Sequence, residues 1–279
     1  MTTIFKMKEV IIMANTLINN VVLGEVIGAE LPGKLKFAPI AIVDDTLVGV
    51  AGDTIKVEKY GYIGEAVDVA EGQPIPLSDL AMTSTEVTLK KAGKGFTLTD
   101  EEVQRRGSEV VEEGKRQVTM AIKDKIDTDS YESLKTTKLV HNCALKLTFA
   151  DIVKAKSLFQ LEDDEKLVLY IHPDQEADVI TTEGFIPATN FGDKVLVEGA
   201  IGRLAGCDVV KTLKVKKVSN KYNDIVVRDG ALGIKLGKSV GIEEDRVASN
   251  KKTDYYADEV YITYLARDNG AVKVVTTEA

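Results

Sequence analysis

The chain of 279 residues has no Trp, two Cys, two His and six Pro, and its acidic residues outnumber its basic ones. Each shortage excludes something. Cys143 and Cys207 stand in different contexts without C-x-x-C spacing, which argues for a reduced, intracellular history. The formal net charge of −8 disfavours sequence-independent gripping of nucleic acid, because neutralising phosphates needs clustered Lys and Arg. The opening "MTTIFKMKEVIIM" has a short apolar stretch, but neither the length of a membrane span nor a small-residue cleavage site. A cytosolic chain with no membrane partner is expected. Met13 offers a second start, since "MANTLINN" reads as a natural beginning. What remains, 44% hydrophobic and 29% charged, is an ordinary globular composition. Its length suits one large core or about two small ones, at roughly 150 residues per domain.

Residues 17–29 place Leu17, Ile18, Val21, Val22, Val26 and Ala29 at helical spacing, ended by Pro32-Gly33, so a short amphipathic helix is expected there. Between Thr46 and Ile63 the pattern turns to partial alternation ("TIKVEKYGYI"), and a second extended run, "TEVTLKK", follows at 85–91. The Pro-containing "AEGQPIPLSD" lies between them. These features describe a long two-stranded ribbon with a wide tip. A lone ribbon is marginal in water, so it needs either a second copy of the chain or its own domain to lie against.

"TDEEVQRRGSEVVEEGKRQVTMAIKDKID" predicts a long helix over 100–128. Thr99 and Glu102 have capping-box spacing, and Asp100, Glu101 and Glu102 suit the positive end of the helix dipole. The stripe Val103, Gly107, Val110, Val111, Gly114, Val118, Ala121 and Ile122 runs along one face of a strut roughly 43 Å long. Gly107 and Gly114 each cost about 1 kcal/mol relative to Ala in a helix; close approach of another backbone would compensate, and a tolerated weakness is the alternative. Beyond it, "TFADIVKAKSLFQ" (148–160) reads as a helix capped by Thr148. "KLVLYIHP" reads as a buried strand, and "DQEADVITTEG" as a short helix closed by Gly184. Extended runs follow: "DKVLV", "CDVVKTLKV", "DIVVRDG", "ALGIKL" and "DEVYITYLARDNGAVKVVT". No period repeats, which excludes solenoids and propellers.

Candidate chemistry is thin. "EGAIGRLAGCDVVKT" (198–212) carries Gly199, Gly202 and Gly206, yet it matches neither G-x-G-x-x-G nor G-x-x-x-x-G-K-[ST]. A strand rather than a helix follows, so no helix N-terminus is presented to an anion, and the glycines read as turns. His141 and Cys143 form H-x-C, and His172 precedes Pro173; a zinc site from so few ligands would need distant segments to cooperate, so structural roles are the better reading. No G-x-S-x-G elbow occurs. Glu112-Glu113, "EDDE" (162–165) and "EED" (243–245) read as solvated surface, Glu112 and Glu113 pointing about 100° apart. Five lysines in 211–221 could complement acidic patches between subunits, although solvated charge is commoner. No catalytic, cofactor-binding or metal-binding residue is assigned.

Taken in order, these elements resemble the major capsid protein of tailed bacteriophages, of the Hong Kong 97-like fold. "GEAVDVAEGQPIPLSDLAMTSTEVTLKK" looks like the returning limb of that family's extended loop, and "TLTDEEVQRRGSEVVEEGKRQV" like its spine helix. "IGRLAGCDVVKT" resembles an axial-domain turn and strand, and "DYYADEVYITYLARDNGAVKV" the closing strands. The likeness spans roughly 14–279. It implies an α+β fold with an N-terminal arm (1–44), an extended loop (45–98), a peripheral domain with the spine helix (99–140 and 231–266) and an axial domain (141–230 and 267–279).

The function it implies is that of a self-assembling structural subunit, not an enzyme. Copies would form hexamers and pentamers of an icosahedral shell around double-stranded DNA, made in the bacterial host cytoplasm and localised to the virion. Portal and decoration proteins are implied partners, and the roughly 45 residues before the ribbon are too few for a fused scaffolding domain, so a separate scaffolding protein is expected. Some members crosslink through a Lys–Asn isopeptide. Lys56, Lys59 and Lys94 lie in or near the ribbon, but no partner Asn or catalytic Glu is identifiable, so noncovalent assembly is expected. An encapsulin-like nanocompartment shell and a soluble α/β enzyme are the competing readings.

Overall fold

The structure is a computed structural model that describes residues 35–45, 54–161, 165–190 and 199–277. The helix expected over 17–29, the strand expected at 193–197 and most of "EDDE" lie outside the described residues.

Fourteen strands and four α-helices are described. In chain order they are β1 (Ala41–Asp44), β2 (Thr54–Tyr60), β3 (Met82–Thr88), β4 (Lys90–Thr99), α1 (Asp100–Arg106), α2 (Glu109–Leu134), β5 (Leu139–Asn142), α3 (Phe149–Ser157), β6 (Leu167–Ile171) and α4 (Glu176–Thr181). There follow β7 (Ile186–Pro187), β8 (Ala200–Leu204), β9 (Cys207–Lys211), β10 (Lys217–Val218), β11 (Lys221–Arg228), β12 (Leu232–Val247), β13 (Lys252–Leu265) and β14 (Ala271–Thr277). They build a four-stranded sheet in the order β1-β12-β13-β4 and an eight-stranded sheet β5-β14-β11-β6-β9-β8-β7 with β10 on β11. The pair β2-β3 stands apart as a two-stranded ribbon.

The expected single helix is two. Thr99 Oγ1 accepts the Glu102 amide at 3.3 Å as the spacing requires, while the Glu102 carboxylate turns to Arg106. Gly107 then takes φ 77°, donates its N–H to Val103 O and ends α1. Left-handed φ suits glycine alone, so here periodicity runs on past a real break. A Cβ on Gly107 would meet nothing within 4 Å, which overturns close approach at that position. At Gly114 the helix face is tightly packed, for a Cβ there would lie 2.4 Å from the Phe96 ring, which stacks on Tyr255 at 4.7 Å. The partner is a side chain of β4 rather than a backbone. From Glu109 to Leu134 the helix is about 39 Å long and runs beyond its expected end.

Helix α2 is buried along Val118, Ile122 and Ile126, one i, i+4 row, and on more of its surface near its C-terminus. Its row joins Val168, Tyr170, Ile225 and Val227 of the eight-stranded sheet and Ile234, Ala257 and Tyr261 of the four-stranded one in a single core. Polar contacts fix the register. Tyr131 Oη donates to Asn223 O, Ser133 Oγ to Thr263 O, and Tyr261 Oη to Asp129 Oδ2. Asp127 accepts the amides of Lys36 and Phe37, and the Phe37 ring lies 4.3 Å from that of Tyr170. Segment 35–40 is thereby clamped between helix and sheet.

A second core lies on the other face of the eight-stranded sheet, under Ile152 and Ala155 of α3 and Val179 of α4. Thr148 caps α3 through the Asp151 amide, as its position predicts. "KLVLYIHP" supplies β6, whose five residues Leu167–Ile171 are all buried. The expected loop from 45 to 98 becomes part of the four-stranded sheet at Lys90, where β4 pairs with β13.

Two consequences are measurable. Gly114→Ala forces the Phe96 ring out of its stack and is expected to cost about 1–3 kcal/mol, read as a lowered melting temperature, with partial recovery when Phe96→Leu is added. An unchanged melting temperature in the single variant would contradict that packing. The second concerns buried acids. Glu259 is 2% exposed on β13 with Oε2 unpartnered, and Asp224, fully buried on β11, accepts from Gln175 and Thr276 on Oδ2 while Oδ1 has no partner. Burial pushes both up to about 7. The native chain then holds protons that the unfolded chain releases, so stability is expected to fall as pH rises from about 4.5 to 7. Glu259→Gln should flatten that slope in thermal unfolding; an identical pH profile would contradict it.

Candidate assembly interface

The ribbon is set by its register. Seven pairs run from Thr54↔Thr88 to Tyr60↔Met82, and the Gly61 amide closes the ladder on Ala81 O at 2.9 Å. Ile55 and Val57 are half-buried, whereas every residue from Gly61 to Ala81 is exposed. Gly64 and Gly72 take positive φ at the tip, and the Gln73 amide bonds Ala70 O. Within this polar-looking loop Tyr62 is 85% exposed, Ile75 76% and Leu77 97%. Such apolar side chains held in water on the loop at the end of a two-stranded ribbon mark a binding surface rather than a folding element.

Near the tip end of its ladder the ribbon is tethered by Lys59 Nζ to Asp268 Oδ1 at 2.5 Å, while Lys56 pairs with Glu86 across the ribbon at 3.4 Å. A cavity of about 450 Å³ lies beneath the ribbon, lined by Val57, Lys59, Thr83, Ser133, Thr263 and Asp268. Lys94 is exposed on β4. The lysines of 211–221 are largely engaged within their own chain: Lys211 on Glu176, Lys214 on Asp124, and Lys217 over the Tyr222 ring. Of the carboxylates, Glu113 chelates Arg116, which holds it down at about 2, and Glu165 pairs with Arg228. Glu243, Glu244 and Asp245 are exposed on β12.

The three glycines do structural work, of two kinds. Gly199 and Gly206 have φ of 82°, and Ala205-Gly206, both at positive φ, form the two-residue turn between β8 and β9. Gly202 shapes no turn. It sits within β8, where a Cβ would lie 2.5 Å from Ile186 O and 2.4 Å from the Phe185 ring, so its role is close approach of β7.

His172 caps the turn that leads into α4, its Nδ1 accepting the Asp174 amide at 3.2 Å. Cys207 is buried in the second core, and burial pushes its thiol up to about 12. His141 and Cys143 meet a residue that sequence reasoning passed over, Asp151, whose Oδ1 is 3.2 Å from His141 Nε2. The Thr148-x-x-Asp151 cap was the signal that could have placed it. Among the described residues these three form the one group of His, Cys and carboxylate with metal-ligand geometry.

Comparison with known proteins gives the family. A phage capsid protein family model matches residues 82–274. The major capsid protein of Staphylococcus phage phiMR11 is 34% identical over 261 residues, 91% of each chain. The chain belongs to the phage capsid protein family. The architecture agrees: the capsid of Ralstonia phage GP4 superposes with a TM-score of 0.69 at 12% identity, covering 86% of this chain and 87% of that one. The head of Helicobacter pylori bacteriophage KHP40 gives 0.68 at 11% identity, over 86% and 87%. This capsid protein therefore has the Hong Kong 97-like fold that its element order suggested, and it is a structural part of a virion. The nanocompartment and enzyme readings give way to it.

Proposed function

We propose that this major capsid protein closes its shell by laying the ribbon tip, residues 61–81, on a neighbouring copy. The observation that carries this reading is the exposure of Tyr62, Ile75 and Leu77 in the loop at the ribbon's tip, which no described residue of their own subunit covers. Burying an aliphatic side chain of this size is worth about 1.5–3 kcal/mol before the costs of association, so two or three of them set assembly strength. A contact between unlike surfaces, repeated by rotation, closes rings. Those rings are the hexamers and pentamers of an icosahedral shell, with the four-stranded sheet and α2 as the peripheral domain and the eight-stranded sheet as the axial one.

The contents are double-stranded DNA, held without sequence-specific contacts; the net charge of −8 suits a container that must not adhere to every phosphate. Scaffolding, portal and decoration proteins are the remaining partners, with synthesis in the bacterial host cytoplasm. The subunits hold together noncovalently, consistent with ribbon lysines Lys56 and Lys59 being engaged by Glu86 and Asp268.

The combined change Ile75→Asp and Leu77→Asp tests the reading. Both side chains are exposed in the subunit, so its melting temperature should stay within a degree or two while closed particles disappear from electron micrographs. Normal particles from this variant would overturn the proposal.

A further inference from the structure

Independently of how the shell assembles, we propose that His141, Cys143 and Asp151 form a binding site for a divalent transition-metal ion of the zinc type. One ligand atom from each lies within 4.8 Å of those of the other two. His141 lies on β5 and Cys143 one residue beyond its end, at i and i+2, so both project to the face covered by α3. Asp151 comes from the first turn of that helix. An imidazole, a thiol and a carboxylate make up the mixed donor set that zinc accepts at about 2.0–2.3 Å. A tetrahedral centre needs its ligands roughly 3.4 Å apart. The His141–Asp151 pair, at 3.2 Å, already meets this, and the thiol sulfur lies within 4.8 Å of both.

Two features favour a cation there. The Asp151 carboxylate is already oriented: Thr148 Oγ1 donates to Oδ2 at 2.5 Å, which leaves Oδ1 facing His141. Outer hydrogen bonds of this kind hold ligands in place at metal centres. Close by, Asp224 is fully buried with Oδ1 unpartnered; it and His141 flank Val274 from the two sides of β14, on the same face of the sheet. When a divalent ion binds, Cys143 gives up its thiol proton to solvent as the metal–sulfur bond forms. No redox change is involved. His141 and Asp151 keep 18% and 16% side-chain exposure, room for water as a fourth ligand. The ion would staple edge strand β5 to α3.

The full-length chain, freed of metal by dialysis against chelator, is the test material, with zinc and cobalt as probes. Expected are one zinc per chain by calorimetry, a raised melting temperature with zinc but not magnesium, and a cobalt–thiolate charge-transfer band. Cys143→Ser and His141→Gln should lose the zinc-induced shift, and Cys143→Ser the band, while Cys207→Ala retains both. If a variant folds poorly, the wild-type cobalt spectrum still decides. No shift and no thiolate band in the wild type would overturn the proposal and leave a hydrogen-bond network only. Equal signals in Cys143→Ser would overturn it too, placing the metal elsewhere.

Discussion

Ten residues of α2 are buried, and the row through Val118, Ile122 and Ile126 belongs to two sheets at once. Among the described residues neither sheet has another long helix to cover that side, so removing this row opens both. Large-to-small changes in such a core cost about 2–5 kcal/mol, a substantial share of the marginal stability of any domain. The polar anchors at Asp127, Asp129, Tyr131 and Ser133 add direction to the apolar contact: Asp127 reaches segment 35–40, Tyr131 reaches β11, and Asp129 and Ser133 both reach β13. The helix is a beam with both sheets and segment 35–40 fixed to it.

That economy explains what is left outside. With one helix satisfying the inner faces of both sheets, the β2-β3 ribbon is left with one face toward the body, where Lys59 pairs with Asp268. Its apolar tip is unsatisfied by the described residues of the subunit, an arrangement a solitary globular protein avoids and a shell subunit uses. Rigid body and exposed appendage divide the labour: the body resists deformation, and the appendage supplies the contact that only another copy completes.

Much of this was legible locally. The caps at Thr99 and Thr148, the buried run of β6 and the alternation of the ribbon are short-range signals, and the element order carried the family resemblance. Features set by distant partners were not. Lysines and glycines hide β4, which is a strand because β13 offers it a ladder. Gly107 kept the helical period while breaking the helix, because periodicity records which face is apolar and not whether the backbone stays helical. The parallel pairing of β1 with β12 joins segments far apart in sequence, and the meeting of Asp151 with His141 depends on α3 docking against β5.

Native-state hydrogen exchange on Ile122→Ala tests most directly whether α2 unites the two sheets. The account predicts that amides of β6 and β11 and amides of β12 and β13 lose protection together, while the ribbon's exchange is unchanged. Loss confined to one sheet, with the other as protected as before, would contradict it.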